Sequence, residues 1–369
     1  MENLRTDKKE LLCELRKRGT FGLRESRCLG EVYIMLTLDC NLRCRFCSWW
    51  GRNGACRKKG FLKEHSRPLR LGELKKFADQ IAPFRPMTVT LSGGEPLLNR
   101  NWYPLAGYLK EKGIKVTLTT NGVYFLKEFG KITETIDEVN LSLDAPPGRL
   151  QAIRGYSESH FTRILKGLKK ITEYKKRQGR PALRIFYTIF DRNYIYMDQL
   201  VRFMEKNRIA IDQYYFQHLM FLSEKNMAAQ RKVLKEEFSI TRSDIWDGFV
   251  SSPASMDFMK FREEIKKVKR RNNVIFSPDL SFRELKPYYQ ENRVPDSYRR
   301  LCSSAWHQLN VLPNGDLYIC NDYFIGNLKE AAFENLWNSG KARDLREYVS
   351  QKLFPACRGC FNFYWERKG

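Results

Sequence analysis

No apolar run in the 369-residue sequence reaches the roughly 18 residues that a membrane-spanning helix needs, so no membrane span is expected. The start of the chain, Met1-Glu-Asn-Leu-Arg-Thr-Asp-Lys-Lys-Glu, is charged and lacks the apolar core of a secretory signal, which points to a cytoplasmic protein. Internal repeats and low-complexity tracts are absent, and Pro and Gly are ordinary in amount. Acidic residues are the scarce charge: 42 Asp and Glu against 66 Lys and Arg give a formal net charge of +24. Such an excess would suit phosphate binding if the basic groups were clustered. They are spread along helical stretches instead (Lys166–Lys170, Lys175–Arg177, Lys266–Arg271), and no nucleic-acid recognition module is present. Nucleic acid is therefore not an expected partner. Solvated helix faces are the first reading of the charge, and an acidic substrate or partner is the second.

What is present is a packed α/β pattern. A hydrophobic content of 42% supports a core, and the length suits one barrel plus a modest second domain. Apolar, β-rich runs fall at Val32–Leu38, Met87–Ser92, Lys115–Thr120, Glu138–Leu143, Leu183–Ile189 and Gln213–Gln217. Amphipathic stretches lie between them at Leu71–Ile81, Asn101–Lys112, Phe161–Arg177 and Met197–Asn207. Strand and helix alternating in this way predict a parallel sheet with helices outside. Sites in such barrels gather at the C-terminal ends of the strands.

Directly after the first strand comes Thr37-Leu-Asp-Cys-Asn-Leu-Arg-Cys-Arg-Phe-Cys47, a Cys-x3-Cys-x2-Cys triplet of Cys40, Cys44 and Cys47. Three thiolates this close can grip three irons of a [4Fe–4S] cluster and leave the fourth iron open, whereas clusters are normally held by four cysteines. Structural zinc closes with a fourth Cys or His; none lies inside the triplet, and the nearest downstream are Cys56 and His65.

The triplet resembles the signature of the radical S-adenosylmethionine (radical SAM) enzymes. That resemblance implies a partial (β/α)6 TIM-like barrel, an open iron chelated by the methionine end of S-adenosylmethionine, and a 5′-deoxyadenosyl radical released on reduction. A reductant protein such as flavodoxin or ferredoxin is the implied electron donor. Ser92-Gly-Gly-Glu-Pro96, after the second strand, is similar to the family's second motif. The family uses it to contact the cofactor's amino group, which implies that role for Gly93, Gly94, Glu95 and Pro96. Glu95 could accept charge-assisted hydrogen bonds from an ammonium, and the glycines allow close backbone approach. Thr119-Thr-Asn-Gly122 and Ser142-Leu-Asp-Ala145 follow the third and fourth strands. By resemblance, Thr120, Asn121, Ser142 and Asp144 contact the ribose or carboxylate of the cofactor. Arg154 resembles an arginine that pairs with that carboxylate, and Phe46 an aromatic set against the adenine. Thr188, Asn193, Gln217 and His218 face the site only if strand parity is right.

A second cysteine set occupies the C-terminal region. Cys302 and Cys320 bracket a Pro-Asn-Gly-Asp turn between apolar runs, which reads as a β-hairpin, and Cys357-Arg-Gly-Cys360 adds a pair. Four soft ligands suit either an iron–sulfur cluster or zinc. With Gly326-Asn-Leu, Leu336-Trp-Asn-Ser, Arg343 and Arg346, this region resembles the SPASM/twitch extension of radical SAM enzymes. That implies an auxiliary [4Fe–4S] cluster held by Cys302, Cys320, Cys357 and Cys360, in the shorter, single-cluster twitch form.

The expected division is an N-terminal extension over 1–31, the barrel over 32–222, a helical bridging or lid segment over 223–300 and the cluster domain over 301–369. Cys13, Cys28 and Cys56 are left as bystander thiols, with Cys56 nearest the triplet. The leading expectation is a radical SAM oxidoreductase that abstracts a substrate hydrogen and passes an electron to the auxiliary cluster. Its substrate is a small molecule such as a sugar, or a peptide. The alternatives are redox-neutral epimerisation or carbon–carbon bond formation, or, in another class, a non-catalytic iron–sulfur or zinc protein that binds nucleic acid.

Overall fold

The computed structural model describes residues 24–360 except 254, 294 and 296–301. Cys13, most of the expected N-terminal extension and the last part of the expected cluster domain lie outside the described residues. Strands are numbered in chain order: β1 Glu31–Met35, β2 Thr88–Ser92, β3 Val116–Thr120, β4 Glu138–Ser142, β5 Ala182–Ile189, β6 Gln213–His218, β7 Val274–Ser277, β8 Gln308–Val311, β9 Asp316–Cys320 and β10 Tyr323–Asn327. All ten form one sheet in the order β10-β9-β8-β1-β2-β3-β4-β5-β6-β7. From β8 through β1 to β7 every neighbouring pair is parallel, and β9 and β10 close the far edge as antiparallel hairpins. This is the open α/β barrel anticipated from the alternation, with further strands on both sides of the six.

The crossover helices are α1 Leu71–Ile81, α2 Trp102–Glu111, α3 Phe129–Thr135, α4 Glu158–Gln178 and α5 Met197–Lys206. Each presents an apolar stripe to the sheet; α1 buries Leu74, Phe77, Ala78 and Ile81, spaced as one helix face. α4 starts where the Ser157 side chain accepts from the His160 N–H, and ends at Gly179 with φ 72°. β5 alternates strictly: Leu183, Ile185, Tyr187 and Ile189 are buried among the helices, while Arg184, Phe186 and Thr188 are half-buried on the other face. By register that inner face also carries Glu138, Asn140, Gln213 and Tyr215, so the lumen is polar.

Two departures from the sequence reading concern the sheet. The segment 223–300 contains helices α6 Glu224–Phe238, α7 Phe258–Val268 and α8 Phe282–Glu291, as its amphipathic runs predict. It also contains β7, a four-residue strand paired with β6, so it is part of the barrel wall as well as a bridge. The C-terminal hairpin does not stand apart either, because β8 pairs in parallel with β1 from Glu31↔Gln308 to Ile34↔Val311. A third strand, β10, and helix α9 Gly340–Gln351 complete the region. Arg346 is fully buried here, donating to the carbonyls of Ala305 and Trp337, both at 2.9 Å, and to Asn338 Oδ1 at 2.9 Å.

A chain truncated after residue 301 loses β8 and leaves the apolar edge of β1 unpaired, an open template for association. We expect that truncation to aggregate, read by size-exclusion chromatography with light scattering. A monodisperse, folded product would show that the barrel does not need β8.

Candidate active site

The motifs meet because two loops are pressed together at the C-terminal ends of β1 and β2. Gly94 N–H donates to Thr37 O and Glu95 N–H to Asp39 O, both at 2.8 Å. A Cβ on Gly93, whose φ is 130°, would lie 2.3 Å from Thr37 O, and one on Gly94 would lie 2.1 Å from Asp39 O. Only glycine fits either position. Pro96 opens the short turn that follows, and Glu95 carries the chain into it.

Glu95 is fully buried and accepts from Thr120 Oγ1 at 2.7 Å, Asn121 N–H at 2.9 Å and Leu97 N–H at 3.3 Å. Burial pushes its pKa up to about 7 against the pull of those donors. The carboxylate ties the β2 loop to the β3 loop. Thr120 is taken up in the same brace, its Oγ1 also accepting from Gly122 N–H at 3.0 Å. Asn121 Nδ2 donates to Asn41 Oδ1 at 2.8 Å and reaches Cys40 Sγ at 4.0 Å, so this residue touches the triplet itself.

Asp144 and Arg154 form a buried ion pair through Arg154 Nε, and Thr188 N–H donates to the other Asp144 oxygen at 2.6 Å. Burial works against the Arg154 charge, and the Asp144 carboxylate more than offsets this, raising the guanidinium above its ordinary range. Arg154 Nη1 also lies 3.8 Å from Cys44 Sγ, and its guanidinium sits 5.4 Å from the Phe46 ring centre. Asp144 and Arg154 are thus each other's ion-pair partner in the fold. Phe46 packs on Phe190 with centroids 4.8 Å apart, half-buried at the cavity wall. Ser142 lies at the end of β4, its carbonyl accepting from Tyr156 Oη at 3.3 Å. Tyr156 was missed in the sequence: its hydroxyl also donates to Asn121 O at 2.6 Å, tying the β3 and β4 loops together. Its place two residues after Arg154 was the available signal.

Asn193 and His218 are structural. Asn193 is fully buried and donates to the carbonyls of Asp144 and Thr188. His218 lies on the outer face of β6 among Phe261, Phe276, Tyr288 and Tyr289, with Nδ1 2.8 Å from Tyr289 Oη. Gln217, on the opposite parity, is half-buried beside Thr188 in register.

The cysteines suit iron–sulfur ligation. Backbone N–H groups of Leu42 and Trp50 point at Cys40 Sγ and Cys47 Sγ, each at 3.4 Å, as donors to cluster thiolates do. Burial raises the pKa of Cys44 to about 12, with Arg154 opposing and Cys47 adding to the rise. Such thiols stay protonated until a metal displaces the proton. Cys56 is buried beside the triplet and is also raised to about 12 by burial and then by Cys47. Burial and the mutual proximity of Cys302, Cys320, Cys357 and Cys360 push Cys320 and Cys357 up as well. Among the described residues no three or more His, Cys, Asp or Glu side chains converge closely enough to hold one metal ion.

Between the sets stands a strut. Asp322, two residues beyond Cys320, accepts from Ile245 N–H at 2.8 Å and Trp246 N–H at 2.7 Å, holding the short helix Asp244–Asp247. Two residues on, a Cβ at Gly248 would lie 2.0 Å from Ser48 O in the triplet loop. Trp246 packs with Ala356 against Cys320 and Cys360.

Fold and thiol placement together define an iron–sulfur barrel enzyme, and the comparisons with known proteins give its family. The radical SAM superfamily profile matches residues 34–204, and the iron–sulfur cluster-binding (SPASM) domain profile matches residues 302–361. The chain belongs to the radical SAM superfamily and carries a C-terminal SPASM domain. Its cofactors are accordingly S-adenosylmethionine and a [4Fe–4S] cluster, with further iron–sulfur ligation in the SPASM domain. It is 30% identical over 171 residues to a probable GTP 3′,8-cyclase of Methanococcus maripaludis, covering 46% of this chain and 52% of that one. The chain thus spans about half the length of that relative, as it does of the Sulfolobus acidocaldarius counterpart, at 54%. A Pyrococcus furiosus protein described as a tungsten-containing aldehyde ferredoxin oxidoreductase cofactor-modifying protein is 22% identical over 347 residues, covering 89% of this chain and 86% of that one. Streptococcus suis SuiB bound to its precursor peptide SuiA shares the fold, with TM-score 0.60 and 17% identity over 92% of this chain and 70% of that one. So does anSMEcpe with bound AdoMet, with TM-score 0.55 and 15% identity over 91% and 88%. Among the described residues no helix is long and apolar enough to cross a membrane.

Gly94→Ala forces a Cβ against Asp39 O; we expect a loss of about 1–3 kcal/mol, as for overpacked interiors, and weakened S-adenosylmethionine binding by calorimetry. Unchanged stability and binding would mean that the two loops can separate freely. His218 gives a pH test. Burial lowers its pKa to about 3 from 6.5, so the unfolded chain takes up a proton below 6.5 that the folded chain refuses. Stability therefore falls as pH drops through that window. His218→Phe keeps the aromatic cluster and removes this dependence. Between pH 6.5 and 5 the wild type should lose about 1.5 kcal/mol in all relative to the variant in denaturant titrations, the slope steepening towards about 1.4 kcal/mol per pH unit. Parallel pH profiles would place a charged imidazole in the fold.

Proposed function

We infer that the protein is a radical SAM oxidoreductase that removes hydrogen from a substrate carbon and sends the remaining electron to an auxiliary cluster in the SPASM region. Bound at the two sites, the cofactors supply a 5′-deoxyadenosyl radical and a one-electron acceptor. The chain's own residues make that chemistry directional. Cys40, Cys44 and Cys47 are three ligands, leaving a coordination place for the methionine end of S-adenosylmethionine. Gly93 and Gly94 bring the backbone close to that place, and the Glu95 brace keeps the β2 and β3 loops from spreading. Phe46 offers an aromatic face, and Arg154 sets a positive charge beside Cys44.

The observation that carries the oxidative reading is the second thiol set. Cys302, Cys320, Cys357 and Cys360 lie together, buried or half-buried, and four protein ligands leave no iron free for substrate. Electron transfer is the use such a closed site allows. The strut from Asp322 to Gly248 supports it by holding this set in a constant relation to the triplet loop. The proposed partners are a reductant such as flavodoxin or ferredoxin and a small-molecule or peptide substrate; the fold neighbour SuiB was captured with a precursor peptide.

Anaerobic reconstitution should give about eight irons per chain for two cubane clusters and release of 5′-deoxyadenosine under reduction. Changing Cys40, Cys44 and Cys47 together to Ala should abolish that release. Changing Cys357 to Ala should leave release intact and block oxidised product. Zinc at the C-terminal site, or product formed without Cys357, would overturn the electron-acceptor role.

A further inference from the structure

The geometry points to an anionic substrate: the cavity beside the cysteine triplet is built to recognise carboxylate or phosphate groups through Arg45, Arg52 and Arg192. This inference rests on the radical-enzyme reading of the same site and adds the chemical class that the site selects.

The cavity measures about 910 Å³ and is walled by Cys44, Phe46 and Cys47 on one side and by the loops after β5 and β6 on the other. That volume is in the range of small-ligand sites, about 300–1,000 Å³, and is unlike a flat protein-docking face. Five arginines line it, Arg43, Arg45, Arg52, Arg57 and Arg192, against the carboxylates of Asp191 and Glu224. Elsewhere three buried or half-buried arginines are ion-paired, Arg154 with Asp144, Arg184 with Glu138 and Arg271 with Asp198, and the fully buried Arg346 is satisfied by carbonyl and amide oxygens. Among the described residues none of the five at the cavity has a carboxylate within ion-pair distance.

Two of the five have other work. Arg43 stacks 4.0 Å from the Trp50 ring centre and donates to the Cys40 and Leu42 carbonyls, and Arg57 Nε donates to Trp50 O at 3.0 Å. Arg45, Arg52 and Arg192 are exposed and make no side-chain hydrogen bond among the described residues. They come from three separate places in the chain: within the triplet, in the turn after it, and beyond β5. Like charges gathered around one opening repel, and an anion between them would relieve that repulsion while filling guanidinium forks shaped for carboxylate and phosphate oxygens. Balancing the charge of ligating thiolates is a bland alternative, but Arg154 already does so from the buried side, at 3.8 Å from Cys44 Sγ.

The test is calorimetric and needs no turnover. Reconstituted holoenzyme is titrated with tripolyphosphate in one arm and hexaglutamate in the other, with hexaglutamine as the neutral control. At least one anionic probe should bind one to one, more weakly as salt rises, and hexaglutamine should not bind. Tripolyphosphate alone would identify phosphate as the recognised group, hexaglutamate alone an acidic peptide. The triple variant Arg45→Glu, Arg52→Glu, Arg192→Glu should weaken that binding about tenfold or more, and the corresponding triple Lys variant should recover part of it. Arg163→Glu, Lys166→Glu, Lys170→Glu on the outer face of α4 carries the same charge change and should stay within about twofold of wild type. No binding by either probe, multiple equivalents bound, or equal losses in both Glu triples would overturn the inference. Release of 5′-deoxyadenosine by the wild type, measured without probe, reports separately on the radical-enzyme reading, so the two can fail independently.

Discussion

The site depends on two stretches of backbone touching without side chains between them. Gly93 and Gly94 lie so close to Thr37 and Asp39 that a single Cβ on either would occupy the space of a carbonyl oxygen. That contact places the loop after β2 under the loop that carries Cys40. Everything nearby is arranged to maintain it. Glu95 is buried with three protein donors, Thr120 and Asn121 are held by those same bonds, and Asn121 reaches back to Cys40. A buried carboxylate with its donors met is costly to disturb, because removing any one partner leaves an unsatisfied polar group in a dry interior.

The second level of organisation is the sheet. β8 pairs with β1, so the strand that delivers the triplet is also the strand on which the C-terminal region is built. Asp322, the short helix Asp244–Asp247 and Gly248 then close a route from the auxiliary thiols back to Ser48. The two cysteine sets are thus joined twice, once through strand pairing and once through the strut. Electron transfer between them would benefit from that rigidity.

Much of this was legible in the sequence. The period-two and helical patterns located all six expected strands and four crossover helices within a few residues, because burial on one face imposes those periods. The motifs at strand ends were also legible, since glycines and polar residues there have no packing reason to occur in that order. Strand β7 was not, because four residues between helices are too few to establish a period. The pairing of Arg154 with Asp144 was not legible either. Both residues were identified as site residues, yet which charge meets which is a matter of the distance between the turn after β4 and the loop beyond it. His218 fell on the outer face for the same reason: strand parity becomes known only when register with β5 is set.

The chemistry open to this protein is written in its residue order: three thiols in one loop, four more spread over the C-terminal region, and a barrel to carry them. These follow from residue type and spacing, which are local properties of the chain. How those groups are arranged against one another depends on the folded chain. Folding made Glu95 a brace, paired Arg154 with Asp144, merged the C-terminal hairpin into the barrel sheet and collected unpaired arginines at one opening. Each of these depends on residues distant in the chain, and on whether burial leaves a charge with a partner, a property that only the folded chain has.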